Sequence, residues 1–84
     1  HQISASGIFA YPNPASGMIY LHNATSFLCQ VGLINVHGQV IQQQRIVADE
    51  TNLVSLNENI VPGIYLLRFL WPDQTFTSQS ILIQ

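Results

Sequence analysis

The sequence predicts an all-β domain, an antiparallel β-sandwich of six or seven strands. Three observations carry that prediction. Short runs rich in β-branched and aromatic residues recur between clusters of turn residues. No window sustains the i, i+3, i+4 apolar spacing of a capped helix. The chain has 84 residues, 48% of them hydrophobic and only 7% charged, where globular chains carry about 25% charge. So small a domain buries about 60% of its unfolded surface and depends on an apolar interior.

Residues 1–7, "HQISASG", are small and polar and read as a linker, which leaves 8–84 as the folded domain. In "YPNPASG" two prolines bracket one asparagine. Pro12 and Pro14 lack a backbone donor and hold φ at about −65°, and each pushes its predecessor, Tyr11 or Asn13, towards extended backbone. A stiff, extended lead-in is expected, fixing where the first strand joins its sheet, with Ser16-Gly17 turning the chain. "MIYLHN" is the first clear strand, with Ile19 and Leu21 inward. "LCQVGLIN" follows, with Cys29, Val31 and Leu33 on one face. "NVHG" is a hairpin signal: Asn35 opens the turn and Gly38 suits a left-handed position.

The return strand "QVIQQQRIV" is expected to put Val40 inside and its glutamines outside. "LVSL" reads as a short strand that uses Leu53 and Leu56 and ends or bends between them. Pro62-Gly63 punctuates the next turn. "IYLLRFL" is apolar on both faces, so a central strand covered on both sides is expected. Tyr65, two residues past the Pro-Gly turn, is placed like the corner tyrosine of immunoglobulin-type sandwiches. "WPDQ" closes the last hairpin into "TFTSQSILIQ".

Two basic and four acidic residues give a formal charge of −2. No basic patch is present to neutralise phosphates, which argues against nucleic acid, and there is no polybasic attraction to a membrane. So few surface charges predict poor solubility in isolation, hence a domain attached to something larger. The chain starts at His1 rather than Met, as a fragment would, and shows no signal-peptide pattern. Its apolar runs are far shorter than the ~20 residues of a spanning helix.

Catalytic chemistry is not expected. His1, His22 and His37 lack ligand spacing and have no Cys or carboxylate partner in a metal pattern. Asp49, Glu50, Glu58 and Asp73 fall in loops, where solvated charges belong. Ser55, Ser78 and Ser80 lack the Gly-x-Ser-x-Gly context of a nucleophile. No Gly-rich phosphate loop occurs, and no cofactor or metal is expected. Cys29 cannot form an intrachain disulfide and reads as a buried small hydrophobe. Asn23-Ala24-Thr25 matches the glycosylation sequon, a short motif with many chance matches. Trp71 beside Pro72 either folds back over the end of the core or offers an exposed platform for a sugar ring.

With these motifs in place, the chain resembles the C-terminal sorting domain of type IX secretion cargo, a family of Bacteroidota. "YPNPASGMIYL" resembles its opening block, "GLINVHGQVI" its hairpin block, and "IVPGIYLLRF" its apolar-Pro-x-Gly-x-Tyr block, here with Pro62 and Gly63 adjacent. The blocks stand in the family's order, and "SILIQ" matches its final apolar strand. The resemblance implies an immunoglobulin-like sandwich that is not an enzyme but an address label behind an N-terminal passenger. It implies recognition by the outer-membrane translocon, removal by a sortase-like peptidase within a segment such as Gln2 to Gly7, and a secreted or cell-surface destination by way of the periplasm. The positions it marks are Tyr11, Pro12, Asn13, Pro14, Gly38, Pro62, Gly63, Tyr65, Ile81, Leu82 and Ile83. One departure stands out: where the family's last strand commonly carries lysine, this one has Gln79 and no charge. Such a strand can still be read through backbone hydrogen bonds.

Two other readings stay open at this point. One is an unprocessed immunoglobulin-like structural or linker domain. The other is a carbohydrate-binding module of a secreted enzyme, which rests on Trp71. An edge-strand dimer is a further alternative for so uncharged a sandwich.

Overall fold

The computed structural model describes residues 3–5 and 7–84. Eight strands run in the order β1 (Ile3–Ala5), β2 (Ile8–Tyr11), β3 (Met18–Asn23), β4 (Cys29–Ile34), β5 (Val40–Ile46), β6 (Glu50–Ser55), β7 (Gly63–Leu70) and β8 (Phe76–Ile83). They form two four-stranded antiparallel sheets, β1-β2-β3-β6 and β5-β4-β7-β8. The seven strands β2–β8 make the sandwich that was expected. The short β1 pairs outside β2, with Ile3 opposite Ala10, and falls inside the segment read as a linker.

Alternation decides the interior. Ile8 and Ala10, Ile19 and Leu21, Cys29, Val31 and Leu33, Leu67 and Phe69, and Ile81 and Ile83 are all buried. Each set is spaced by two, so each strand turns one face to the other sheet. Placing Ile19 and Leu21 inward, and Cys29, Val31 and Leu33 on one face, was right. Strand β2 was missed, because four residues running into a proline are too short to alternate visibly.

Four local expectations need correction. Tyr11 to Pro14 is not an extended rod: the chain bends through Pro12–Pro14 and bridges at Ala15, because Ala15 reaches over to Ile83 of the second sheet before β3 returns to the first. Val40 is not inside. The β4–β5 register slips between Leu33 and Ile34, and an extra residue reverses the faces beyond it. Val40 is therefore 44% exposed, while Gln42 and Gln44 take half-buried positions at the sheet edge.

Those two glutamines have work there. Gln42 Nε2 donates to the Ser55 carbonyl at 2.6 Å and Gln44 Nε2 to the Leu53 carbonyl at 2.9 Å. They thus lace the edge strand of one sheet, β5, to that of the other, β6. Strand β6 starts earlier than "LVSL" suggested and buries Val54, leaving Leu53 exposed. Finally, β7 is central but covered on one side only. Its outward Ile64 is 63% exposed, and Leu66 beside it is open too.

Candidate functional site

The registers place one set of strand ends together. Tyr11 lies opposite Tyr20 and Met18 opposite Ser55 in the first sheet. Ile34 lies opposite Val40 and Leu66, and Gly63 opposite Ile83, in the second. The Pro12–Gly17 segment, the Asn35–Gln39 turn, the Leu56–Pro62 connection and the end of β8 therefore share one end of the sandwich. Tyr11, Pro12, Asn13, Pro14, Gly38, Pro62, Gly63, Tyr65, Ile81, Leu82 and Ile83 all lie at or beside this end.

Three hydrogen bonds join the opening motif to the last strand. The Leu82 N–H donates to Asn13 Oδ1 at 3.2 Å. The Ala15 N–H donates to the Leu82 carbonyl at 2.8 Å, and the Gln84 N–H to the Ala15 carbonyl at 2.8 Å. Ala15 pairs in parallel with Ile83 and is fully buried. The asparagine between the prolines thus caps an edge strand 69 residues away, while Pro12 and Pro14 stay exposed. Nothing in the sequence marked Ala15, since a small buried residue looks like any other alanine.

The other two blocks shape the same end. Gly38 has φ +82°, and its N–H donates to the Asn35 carbonyl at 3.0 Å. Asn35 Oδ1 accepts the N–H groups of His37 and Gln39, at 3.0 Å each, which closes the turn. The Tyr65 hydroxyl donates to the Val61 carbonyl, four residues back, as the corner-tyrosine reading expected. Between the two turns lies a hollow of ≈ 380 Å³ whose wall includes Val36, His37, Ile41, Val61, Ile64 and Tyr65. No Asp, Glu, Lys or Arg lines it.

The residues considered for chemistry do not assemble. His22 Nδ1 shares a hydrogen bond with Thr51 Oγ1 at 2.9 Å, His37 sits in the turn, and His1 lies outside the described residues. Among the described residues no group of three His, Cys, Asp or Glu side chains is placed to hold a metal. Burial pushes the Cys29 thiol up to about 11. The Asp73 carboxyl lies below its usual value because the Thr75 hydroxyl and N–H donate to it. Asn23 of the sequon is fully buried. Its Nδ2 donates to the Phe27 carbonyl at 2.8 Å and its Oδ1 accepts from Thr25 Oγ1 at 2.6 Å, so this amide is a loop brace rather than an accessible acceptor. Trp71 sits at the opposite end, half-buried against the core, with Nε1 donating to Thr77 Oγ1 at 2.9 Å.

The model of the family described as the secretion system C-terminal sorting domain matches residues 9–84. The chain belongs to that family. The match takes in the Tyr-Pro-Asn-Pro segment, both turns and the final strand, the parts that converge at one end of the fold. No curated protein and no solved structure matches the chain significantly. This is the sorting domain of type IX secretion, a sorting-signal family and not an enzyme family. Membership implies a passenger fused on the N-terminal side, secretion machinery that reads the domain, and export across the outer membrane.

Proposed function

We propose that the end formed by Tyr11–Pro14, Gly38, Pro62–Tyr65 and Ile81–Ile83 is the surface that the outer-membrane translocon reads when this sorting domain delivers its passenger. One observation carries the reading: blocks scattered over the chain converge on a single end, where Asn13 and Ala15 tie the first of them to the last. Val36, Val61, Ile64 and Leu82 give this end an exposed apolar surface, with Glu58 the one carboxylate in its loops. A partner surface of the same character suits them, with docking driven by burial rather than by the family's usual terminal lysine.

Removal of the domain by a sortase-like peptidase belongs to the same proposal, with residues 1–7 as the linker and 8–84 as the label. Residues 3–5 form β1, so cleavage between Ile3 and Ala5 requires this strand to leave β2 first. A three-residue edge strand opens at little cost. Gln2 and Ser6, also in the expected segment, lie outside the described residues.

The test is a fluorescent reporter with an N-terminal export signal and residues 1–84 at its C-terminus. It is expressed in a Bacteroidota host with intact type IX machinery and in one without. Reporter outside the intact cells alone, and periplasmic retention of a folded Val61→Asp, Ile64→Asp double variant, is the expected result. A folded domain held in the periplasm of both hosts would refute the proposal. The mass of the secreted reporter shows whether the label has been removed.

A further inference from the structure

The end of the sandwich away from the motif blocks holds a second hollow of ≈ 380 Å³, between the Trp71–Thr75 hairpin and the loop after β3. Its wall includes Thr25, Phe27, Trp71, Asp73, Thr75 and Thr77. Trp71 is held in place on two sides. Its ring packs on the core, and Nε1 donates to Thr77 Oγ1 at 2.9 Å. Phe27 is 59% exposed and contributes nothing to the buried core. Asp73 is oriented by Thr75: Oδ1 accepts both the Thr75 N–H at 3.1 Å and its hydroxyl at 2.6 Å. Both Thr75 donors go to one oxygen, which leaves Oδ2 for a ligand.

The lining selects a chemical class. No Lys or Arg lines the hollow, which disfavours an anion. One carboxylate is too few for a metal cation. Two aromatic walls, one fixed carboxylate acceptor, the Thr77 hydroxyl as a donor and the lone pairs of Thr75 Oγ1, whose proton goes to Asp73, suit a ring with an apolar C–H face and a rim of hydroxyls. The volume is near the lower end of ligand sites, roughly 300–1,000 Å³, and has room for one or two such rings.

We propose that this hollow binds a neutral pyranoside, with the sugar ring against Phe27 and Trp71 and its hydroxyls on Asp73 and the threonines. The site is independent of the sorting surface, which lies at the other end of the fold.

The experiment is a titration of the 84-residue chain with neutral gluco-, manno-, galacto- and N-acetylglucosamine oligosaccharides, followed by amide and indole NMR shifts. A proline-rich peptide serves as the competing probe. At least one saccharide is expected to move the Trp71 indole and Thr75 amide resonances, with a Kd on the order of 1 mM. Phe27→Ala should raise that Kd about three- to tenfold, and Asp73→Asn about fivefold, since a charged acceptor becomes a neutral one. Both positions are exposed, so the fold should survive where Trp71→Ala could disturb it. No saccharide moving these resonances, shifts by the peptide alone, or a Kd unchanged in both variants would overturn the proposal. Loss of saccharide binding in Phe27→Ala with secretion intact would keep this site separate from the sorting role.

Discussion

Deleting Ser80–Gln84 looks like the natural way to ask whether the last strand is a signal. The structure predicts that this deletion unfolds the domain instead. Ile81 and Ile83 are 1% and 3% exposed, opposite Tyr65 and Gly63 on the central strand β7. Removing a buried isoleucine side chain costs about 2–5 kcal/mol, so the pair is worth roughly 4–10 kcal/mol. The three bonds that tie Asn13 and Ala15 to Leu82 and Gln84 go as well, at about 0.5–1.5 kcal/mol each. Against this, 84 residues at about 0.05–0.15 kcal/mol each provide a total stability of roughly 4–13 kcal/mol. The loss is of the same size as the whole.

The assay is urea unfolding followed by near-ultraviolet circular dichroism, for the full chain, for residues 1–79 and for Leu82→Ser. Leu82 is 40% exposed, and its backbone N–H and carbonyl bond to Asn13 and Ala15 whatever the side chain. With more than half of that side chain covered, the substitution should lower stability by about 1–2 kcal/mol, well short of the truncation. The truncated chain should show no cooperative transition. A truncated chain that unfolds cooperatively near the full-length midpoint would refute the reasoning. Leu82→Ser, not truncation, then becomes the variant in which loss of secretion reports on recognition.

Three smaller predictions follow from single contacts. Gly38→Ala should cost about 1–2 kcal/mol in urea unfolding from backbone conformation alone, because a Cβ there meets nothing within 4 Å at φ +82°. Tyr65→Phe, which loses the bond to the Val61 carbonyl while keeping its ring, should lower stability by about 1 kcal/mol in the same assay. The Cys29 thiol is raised by burial from 9.0 to about 11, so the unfolded chain releases this proton first. Its contribution to stability is whole below about pH 9 and is lost as pH rises towards about 11. Unfolding midpoints in that range should fall more steeply for the natural chain than for Cys29→Ala.

Much of this fold was legible because the signals are local. Spacing by two marked Ile19 and Leu21, and Cys29, Val31 and Leu33, since alternate side chains of a strand must face one way. Asn35 and Gly38 marked the hairpin, because a left-handed position selects glycine. The candidate site was legible as motif blocks and illegible as a place: no local rule brings Asn13 beside Leu82. The sugar-sized hollow was half visible, in Trp71. Phe27 and Asp73 carried no signal, because they meet only when two loops from different sheets close over the same end.

The chain's own sequence, then, determined strand alternation, turn positions and the corner tyrosine, all consequences of steric preference over a few residues. Tertiary structure alone decided which strands are neighbours and which faces stay bare. The extra residue opposite Leu33 and Ile34 turned Val40 outward, while Gln42 and Gln44, opposite Leu33 and Val31 in the unbroken register, kept the inner face and bridge β5 to β6. The lack of a third layer left Ile64 and Leu66 open. Long-range pairing chose these outcomes, because the energy of joining residues 69 apart depends on everything folded between them.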